Sequence, residues 1–394
     1  MIGVVATPTH GATDARWGPL VLLAACVFAA ICTEVLPVGL LPDVSRGLHV
    51  SPASTGLLVS LYAVLVAVMS VPIAALTERW PRRVVLAVLL GAYALSNVSF
   101  AVAPTYWVAV VARAVGGVAH AGFFAVCVAA AVSMVEAARS GRAVAVVMVG
   151  NALALVFGVP LGTLLGTAFG WRWAFAVLAL APAGLAVAVL RCLPDRQGPC
   201  GARRTPVLTA VRRPALLVMS AVITLLALGH FTLYTYVSAL LLHDGVSRAD
   251  VGVVLFGYGC GGLLGLAAAS AVVARWPEHA LAVDAVLIGL SLLLAAVVDS
   301  RVGIVAVLVM WGMAFGALPT LTQTVTLRAA QDATDTATAL VNATTNIGIA
   351  GGALLGSLLL GPLSVPGLGW VGAALAVSSV AVYLARPRLA TQAE

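Results

Sequence analysis

Long apolar runs dominate the chain, and short polar breaks interrupt them at regular intervals. The runs cover approximately 19–41, 53–76, 84–103, 107–135, 143–168, 173–193, 214–242, 251–274, 280–298, 302–327, 337–361 and 363–385. Each is close to or above the roughly 20 residues that a helix needs to cross the hydrocarbon core. Lipid offers the backbone no hydrogen-bond partner, so these spans are expected to be helical. The alternative, a closed barrel, would alternate apolar with polar residues, and the runs here are continuous. The predicted fold is an all-α integral membrane protein with twelve transmembrane helices. The first run follows a polar segment ending at Arg16-Trp17 and lacks a small-residue cleavage site, so it reads as a span and not as a signal peptide.

Composition agrees with this pattern and narrows the chemistry. Of 394 residues 62% are apolar and 9% charged, against about 25% charged in soluble domains, which leaves almost nothing for a water-soluble domain. All 21 basic residues are arginine. A Walker A loop needs its lysine on the nucleotide phosphates, and a Schiff-base cofactor needs a lysine amine. An ATP-driven pump and a pyridoxal enzyme are therefore disfavoured, and any work done must draw on another energy source. The six cysteines, Cys26, Cys32, Cys127, Cys192, Cys200 and Cys260, form no Cys-x-x-Cys pair, and no His-Glu-x-x-His occurs. Neither a disulfide framework nor a metal site is expected.

With the amino terminus placed in the cytoplasm, sixteen arginines fall on the inner side. Four (Arg46, Arg172, Arg248, Arg301) fall outside, and Arg113 lies within a span. This obeys the positive-inside rule, and the inverse topology would break it. The net charge of +7 thus reflects membrane orientation, with nothing to suggest nucleic-acid binding. The expected organisation is a cytoplasmic tail over 1–18, a six-helix bundle over 19–192, a Pro-, Gly- and Arg-rich cytoplasmic linker over 193–213, a second bundle over 214–385 and a cytoplasmic tail over 386–394. Arg79-Trp80-Pro81 after span two recurs as Arg275-Trp276-Pro277 after span eight, an offset of 196 residues. A duplicated six-helix unit is the better reading of this near-half repeat.

Ionisable groups inside spans are costly and therefore informative. Glu34 reads as the only acid deep in an apolar span. A mid-helix carboxylate costs about 2.5 to 3.5 kcal/mol on insertion scales. Either it snorkels outward past the helix end loosened by Pro37 and Pro42, or it is a protonatable site lining a central cavity. The 196-residue offset carries Glu34 onto His230, with both residues 45 positions before their Arg-Trp-Pro. His230 is either a structural histidine or a cavity residue, and Tyr234 lies one turn on along the same face. Arg113 must face the protein interior and pair there, as a structural ion or in proton coupling with Glu34. His120 follows it by two turns on the same face. Gly158, Gly162 and Gly166 in span five, with Pro160 between them, and Gly348, Gly352 and Gly356 in span eleven form small-residue stripes that permit close helix packing. Pro160 also permits bending.

These residues resemble the major facilitator superfamily, and within it the twelve-span drug:proton antiporters that include bacterial chloramphenicol exporters and arabinose-efflux-like permeases. The resemblance covers essentially the whole chain. Thr33-Glu34-Val35-Leu36-Pro37-Val38-Gly39-Leu40-Leu41-Pro42 is similar to the acidic, proline-bounded first-helix motif of that family. Ala74-x-x-x-Glu78-Arg79-Trp80-Pro81-Arg82-Arg83 resembles the Gly-x-x-x-Asp-Arg-x-Gly-Arg-Arg loop signature, with Ala74, Glu78 and Pro81 departing from it. Arg113 with Gly117 is similar to the fourth-span arginine motif, and Gly158-Val159-Pro160-Leu161-Gly162 to the antiporter motif of span five. Phe169-Gly170-Trp171-Arg172-Trp173 and Asn346-Ile347-Gly348-Ile349-Ala350-Gly351-Gly352 resemble further landmarks.

The resemblance implies a monomeric, multi-pass inner-membrane transporter and not an enzyme. It would use the proton gradient in place of a cofactor to expel a small amphipathic molecule or drug by alternating access. Proton coupling would fall to Glu34 and Arg113, the substrate cavity to His120, His230, Tyr234 and Asn346, and the cytoplasmic gate to Glu78, Arg79, Arg82 and Arg83. The alternative on the same fold is an exporter or symporter of a sugar, nucleoside or other metabolite, with tyrosines and asparagines such as Asn151, Asn342 and Asn346 binding hydroxyls.

Overall fold

The computed structural model describes residues 17–194, 214–276, 279–330 and 334–385, with the side chains of 137, 327–330 and 334–339 left aside. Both tails and most of the 193–213 linker lie outside the described residues. The helices are α1 (Trp17–Gly39), α2 (Leu41–Gly47), α3 (Pro52–Thr77), α4 (Arg82–Ala101), α5 (Tyr106–Ser133), α6 (Ser140–Leu153), α7 (Val159–Phe169), α8 (Trp171–Cys192), α9 (Pro214–Tyr234), α10 (Val237–His243), α11 (Val251–Arg275), α12 (Ala280–Val297), α13 (Arg301–Ala330) and α14 (Thr334–Leu384).

Eleven described helical segments are long and apolar enough to cross a membrane. The last, Leu340–Leu384, has 45 residues, or about 68 Å at 1.5 Å per residue, twice the roughly 30 Å hydrocarbon core. It crosses twice. Ser364 adopts φ 61°, ψ 177° between Pro362 and Pro366, where each proline withholds a backbone N–H, so twelve spans result. Another proline shapes span five. Pro160 cannot donate to the carbonyl of Val156, and the helix relaxes into a π-helical turn over Ala154–Gly158 that joins α6 to α7.

Helices of 17–192 pack largely among themselves, as do those of 214–384, and the pairings recur. In the first half α3 lies on α5, α4 on α8, and α1 on the α6–α7 span. In the second, α11 lies on α13, α12 on α14, and α9 on α14. The glycine stripes set two of these contacts. A Cβ on Gly162 would meet Leu36, one on Gly166 would meet Leu40, and one on Gly352 would meet the carbonyl of Leu228. Apolar side chains also cover the outside, including Val111, Leu180, Val302 and Val377, as expected where lipid replaces water.

The two most extensive cross-contacts between the halves are α3 on α14 and the α7 region on α11. Gly252 and Gly259 of α11 allow the backbone of Pro160 and Val156 to come close. The polar fastenings between the halves lie on the face opposite the α3–α4 loop. Ser238 donates to the carbonyl of Val38, Ser357 donates to that of Ala53 at 3.0 Å, and Arg248 pairs with Asp43. Pro42 explains the first of these, because it withholds the N–H that would otherwise bond the Val38 carbonyl.

Candidate functional site

The last third of α1 gathers several buried polar groups of the first half. Pro37 has no N–H, so the carbonyl of Thr33 has no partner four residues on. Arg113 on α5 fills this gap: its Nη1 donates to that carbonyl at 2.7 Å and its Nη2 to the carbonyl of Glu34 at 3.1 Å. The guanidinium lies 4.1 Å from the ring centroid of Tyr62 on α3, a cation–π contact made stronger by the dry surroundings. Thr33 is held in turn, since its hydroxyl donates to Ala29 at 2.9 Å and accepts from Asn97 of α4 at 2.9 Å.

His120 stands two turns below Arg113 and links the remaining members. Its Nδ1 hydrogen-bonds the Tyr62 hydroxyl at 2.9 Å, and its Nε2 lies 3.6 Å from the Glu34 carboxylate. Tyr93 and Phe124 flank the imidazole. The Glu34 side chain keeps 16% of its surface accessible, while that of His120 keeps 7%. The Glu34 carboxylate thus faces, at a separation longer than a hydrogen bond, a histidine that is itself hydrogen-bonded to a hydroxyl.

Glu34, Arg113 and His120 therefore share one site, and Tyr62 was not foreseen as its fourth member. The sequence carried a signal for it, since the 196-residue offset that links the two Arg-Trp-Pro segments also carries Tyr62 onto Tyr258. His230 does not face Glu34. It is enclosed in the second half among Tyr234, Trp311 and Phe315, and Tyr234, one turn on along the same face, stacks on it at 4.9 Å between centroids. Asn346 turns back on its own helix, with its amide donating to the carbonyl of Asn342 at 2.9 Å.

In the α3–α4 loop Glu78 and Arg79 are exposed, and Arg82 donates to the carbonyl of Ala129. Gly158, Pro160 and Gly162 face α1 and α11 as packing elements of span five. A second acid is buried near the end of a span: Asp284, in the second turn of α12, is 5% exposed and its Oδ2 has no partner. Among the described residues no group of three or more potential ligands could hold a metal.

The sequence profile described as Major Facilitator Superfamily matches residues 23–351. The chain belongs to that superfamily. Within it, the chain is 32% identical over 365 residues to a "Probable sugar efflux transporter" of Mannheimia succiniciproducens, covering 92% of this chain and 91% of the relative. A protein of the same description from Pasteurella multocida is 28% identical, with 96% and 94% covered. Among solved structures, the fold is similar to a bacterial homolog of the human lysosomal transporter Spinster in an inward-facing, occupied conformation. There the TM-score is 0.78 at 16% identity, and 95% and 97% of the two chains are covered. It is also similar to a nucleoside transporter, with TM-score 0.77 at 12% identity and 93% and 99% covered. A major facilitator fold of this kind is a multi-pass membrane transporter of small molecules and not an enzyme.

Proposed function

We propose that the protein is a monomeric carrier of the bacterial inner membrane that exports a sugar in exchange for protons. The observation that carries this reading is the Glu34–His120–Tyr62 chain beside Arg113, a protonatable carboxylate inside the membrane with a hydrogen-bonded relay behind it. The sugar-efflux names of the two curated relatives support the substrate class and favour the metabolite alternative over a drug. In this reading the two halves rock about the site, and proton binding at Glu34 alternates with sugar binding. The energy source is the proton gradient, with no cofactor.

Export of radiolabelled glucose, galactose or lactose from cells expressing the protein should exceed that of empty cells several-fold. It should collapse to background with a protonophore. Export that ignores the protonophore would rule out proton coupling.

An amphipathic drug is the second reading. It is favoured by a lipid-facing apolar groove of about 720 Å³ lined by Leu61, Leu65, Val88, Val111 and Val115. Stronger resistance to lipophilic cations without sugar export would select it.

Both termini and the 193–213 linker are proposed to be cytoplasmic. Arg46, Arg172, Arg248 and Arg301 share the opposite face through the loops that carry them, and the many other loop arginines require the cytoplasmic side. An alkaline phosphatase fusion within the linker should be inactive, and an active one would invert the topology.

A further inference from the structure

The outer surface of the first half carries a furrow that proton coupling does not use. α3 and α4 are consecutive and both lie on α5, yet they make little contact with each other. Gly117 of α5 lets the Tyr62 backbone of α3 come close, and a Cβ on Gly122 would meet Ile73. On the other flank Ser96 of α4 donates to the carbonyl of Ala112 on α5 at 2.7 Å. The space left between these two walls is the groove of about 720 Å³ described above, with the small side chains of Ala114 and Ala119 among those that floor it.

The furrow is apolar along its length and basic at one end. Among the described residues that line it, Thr77 and Trp80 alone carry polar side-chain atoms. The Thr77 hydroxyl is already spent, donating to the carbonyl of Ile73 at 2.7 Å, so the walls offer a sugar nothing to bond. From Leu61 to Thr77 the α3 wall runs about 24 Å at 1.5 Å per residue, more than the roughly 15 Å that one leaflet gives to the hydrocarbon core. At the loop end Arg79, Arg82 and Arg83 stand against one acid, Glu78. Arg82 gives one N–H to the carbonyl of Ala129 and keeps its charge. α4 starts at Arg82 without a side-chain cap, so the positive end of its dipole points the same way. Trp80 lines the mouth and is 55% exposed, as befits an aromatic ring at headgroup level.

We propose that this furrow binds an anionic phospholipid, with one acyl chain lying between α3 and α4 and the phosphate held by Arg79, Arg82 and Arg83. Under the topology proposed above the lipid belongs to the cytoplasmic leaflet. Packing against two helical walls retains the chain, and guanidinium groups bind phosphate oxygens in pairs. A zwitterionic headgroup would bring its own cation up against the same arginines. A lipophilic cation, the occupant that the drug reading needs, meets three arginines at the mouth and no carboxylate along the walls. The bound lipid ties the α3–α4 loop to the membrane surface, and the site does not depend on which molecule the carrier exports.

The test counts lipids on the purified full-length protein in detergent by native mass spectrometry, with dioleoyl phosphatidylglycerol and dioleoyl phosphatidylcholine as probes. Phosphatidylglycerol should be retained about thirtyfold more tightly, at about fivefold for each of the two net positive charges, and Arg79→Gln should remove about fivefold of that preference. Ala92→Leu with Ala114→Leu fills part of the furrow and should weaken retention of both lipids about tenfold, with the melting temperature unchanged. A second readout needs no change in packing: phosphatidylglycerol with brominated chains should quench the fluorescence of the parent more than that of Trp80→Phe, the difference being the Trp80 signal. Equal retention of the two lipids would overturn the proposal, as would a folded double-leucine variant that binds phosphatidylglycerol like the parent, or a Trp80 signal that bromine leaves unquenched. Displacement of the lipid by tetraphenylphosphonium at concentrations below those at which phosphatidylglycerol binds would also overturn it and give the furrow to a drug.

Discussion

Glu34→Gln is expected to stop proton-driven export while leaving a folded carrier that still exchanges sugar down its gradient. The amide has the shape of the protonated acid and cannot lose a proton, so the competition that ties sugar release to proton uptake disappears. It is also cheaper to hold in a dry span than a carboxylate, so the variant should express at least as well as the parent. Energised export should fall at least about a hundredfold, which is roughly 2.7 kcal/mol of coupling at 1.36 kcal/mol per tenfold. Energy-independent counterflow should survive within a few-fold. The deciding measurement is sugar-induced proton release from purified protein at several pH values. Proton release from Glu34→Gln equal to the parent's would move the coupling site to His120 and Arg113.

What could be read from the sequence followed from how expensive each feature is in lipid. Continuous apolar runs specify the spans because an unsatisfied backbone does not survive in the membrane, and Glu34 and Arg113 stand out because a charge there demands a reason. His120 was drawn in by its helical spacing from Arg113. Tyr62 was missed because a tyrosine in a span costs too little to stand out, and only the 196-residue repeat marks it together with Tyr258. The same repeat relates His230 to Glu34 by position. Equivalent positions in two halves need not touch, and Glu34 meets His120 of its own bundle while His230 is enclosed in the other. The π-helical turn at Ala154–Gly158 was foreseen only as a bend at Pro160, since sequence marks the missing N–H but not how the helix absorbs it.

The proline in α1 leads to the second large effect. Pro37 leaves the Thr33 carbonyl without its helical partner, and Arg113 takes it at 2.7 Å while reaching the Glu34 carbonyl at 3.1 Å. That fork, with Tyr62 beneath it, fixes a positive charge next to the coupling carboxylate. Lysine keeps the charge but not the planar pair of donors, so Arg113→Lys should lower export about thirtyfold, or roughly 2 kcal/mol. Pro37→Ala acts on the same bond from the other side. It restores an N–H that competes for the Thr33 carbonyl and loosens the guanidinium, and it should lower export about tenfold while raising the melting temperature of a helix now free of its proline. Because both changes act through one carbonyl, the double variant should be little worse than Arg113→Lys alone, a coupling of about 1 to 1.5 kcal/mol in a double-mutant cycle of initial rates in proteoliposomes. Strictly additive losses would mean that Pro37 only bends α1 and that the link from Arg113 to the Thr33 carbonyl plays no part in transport.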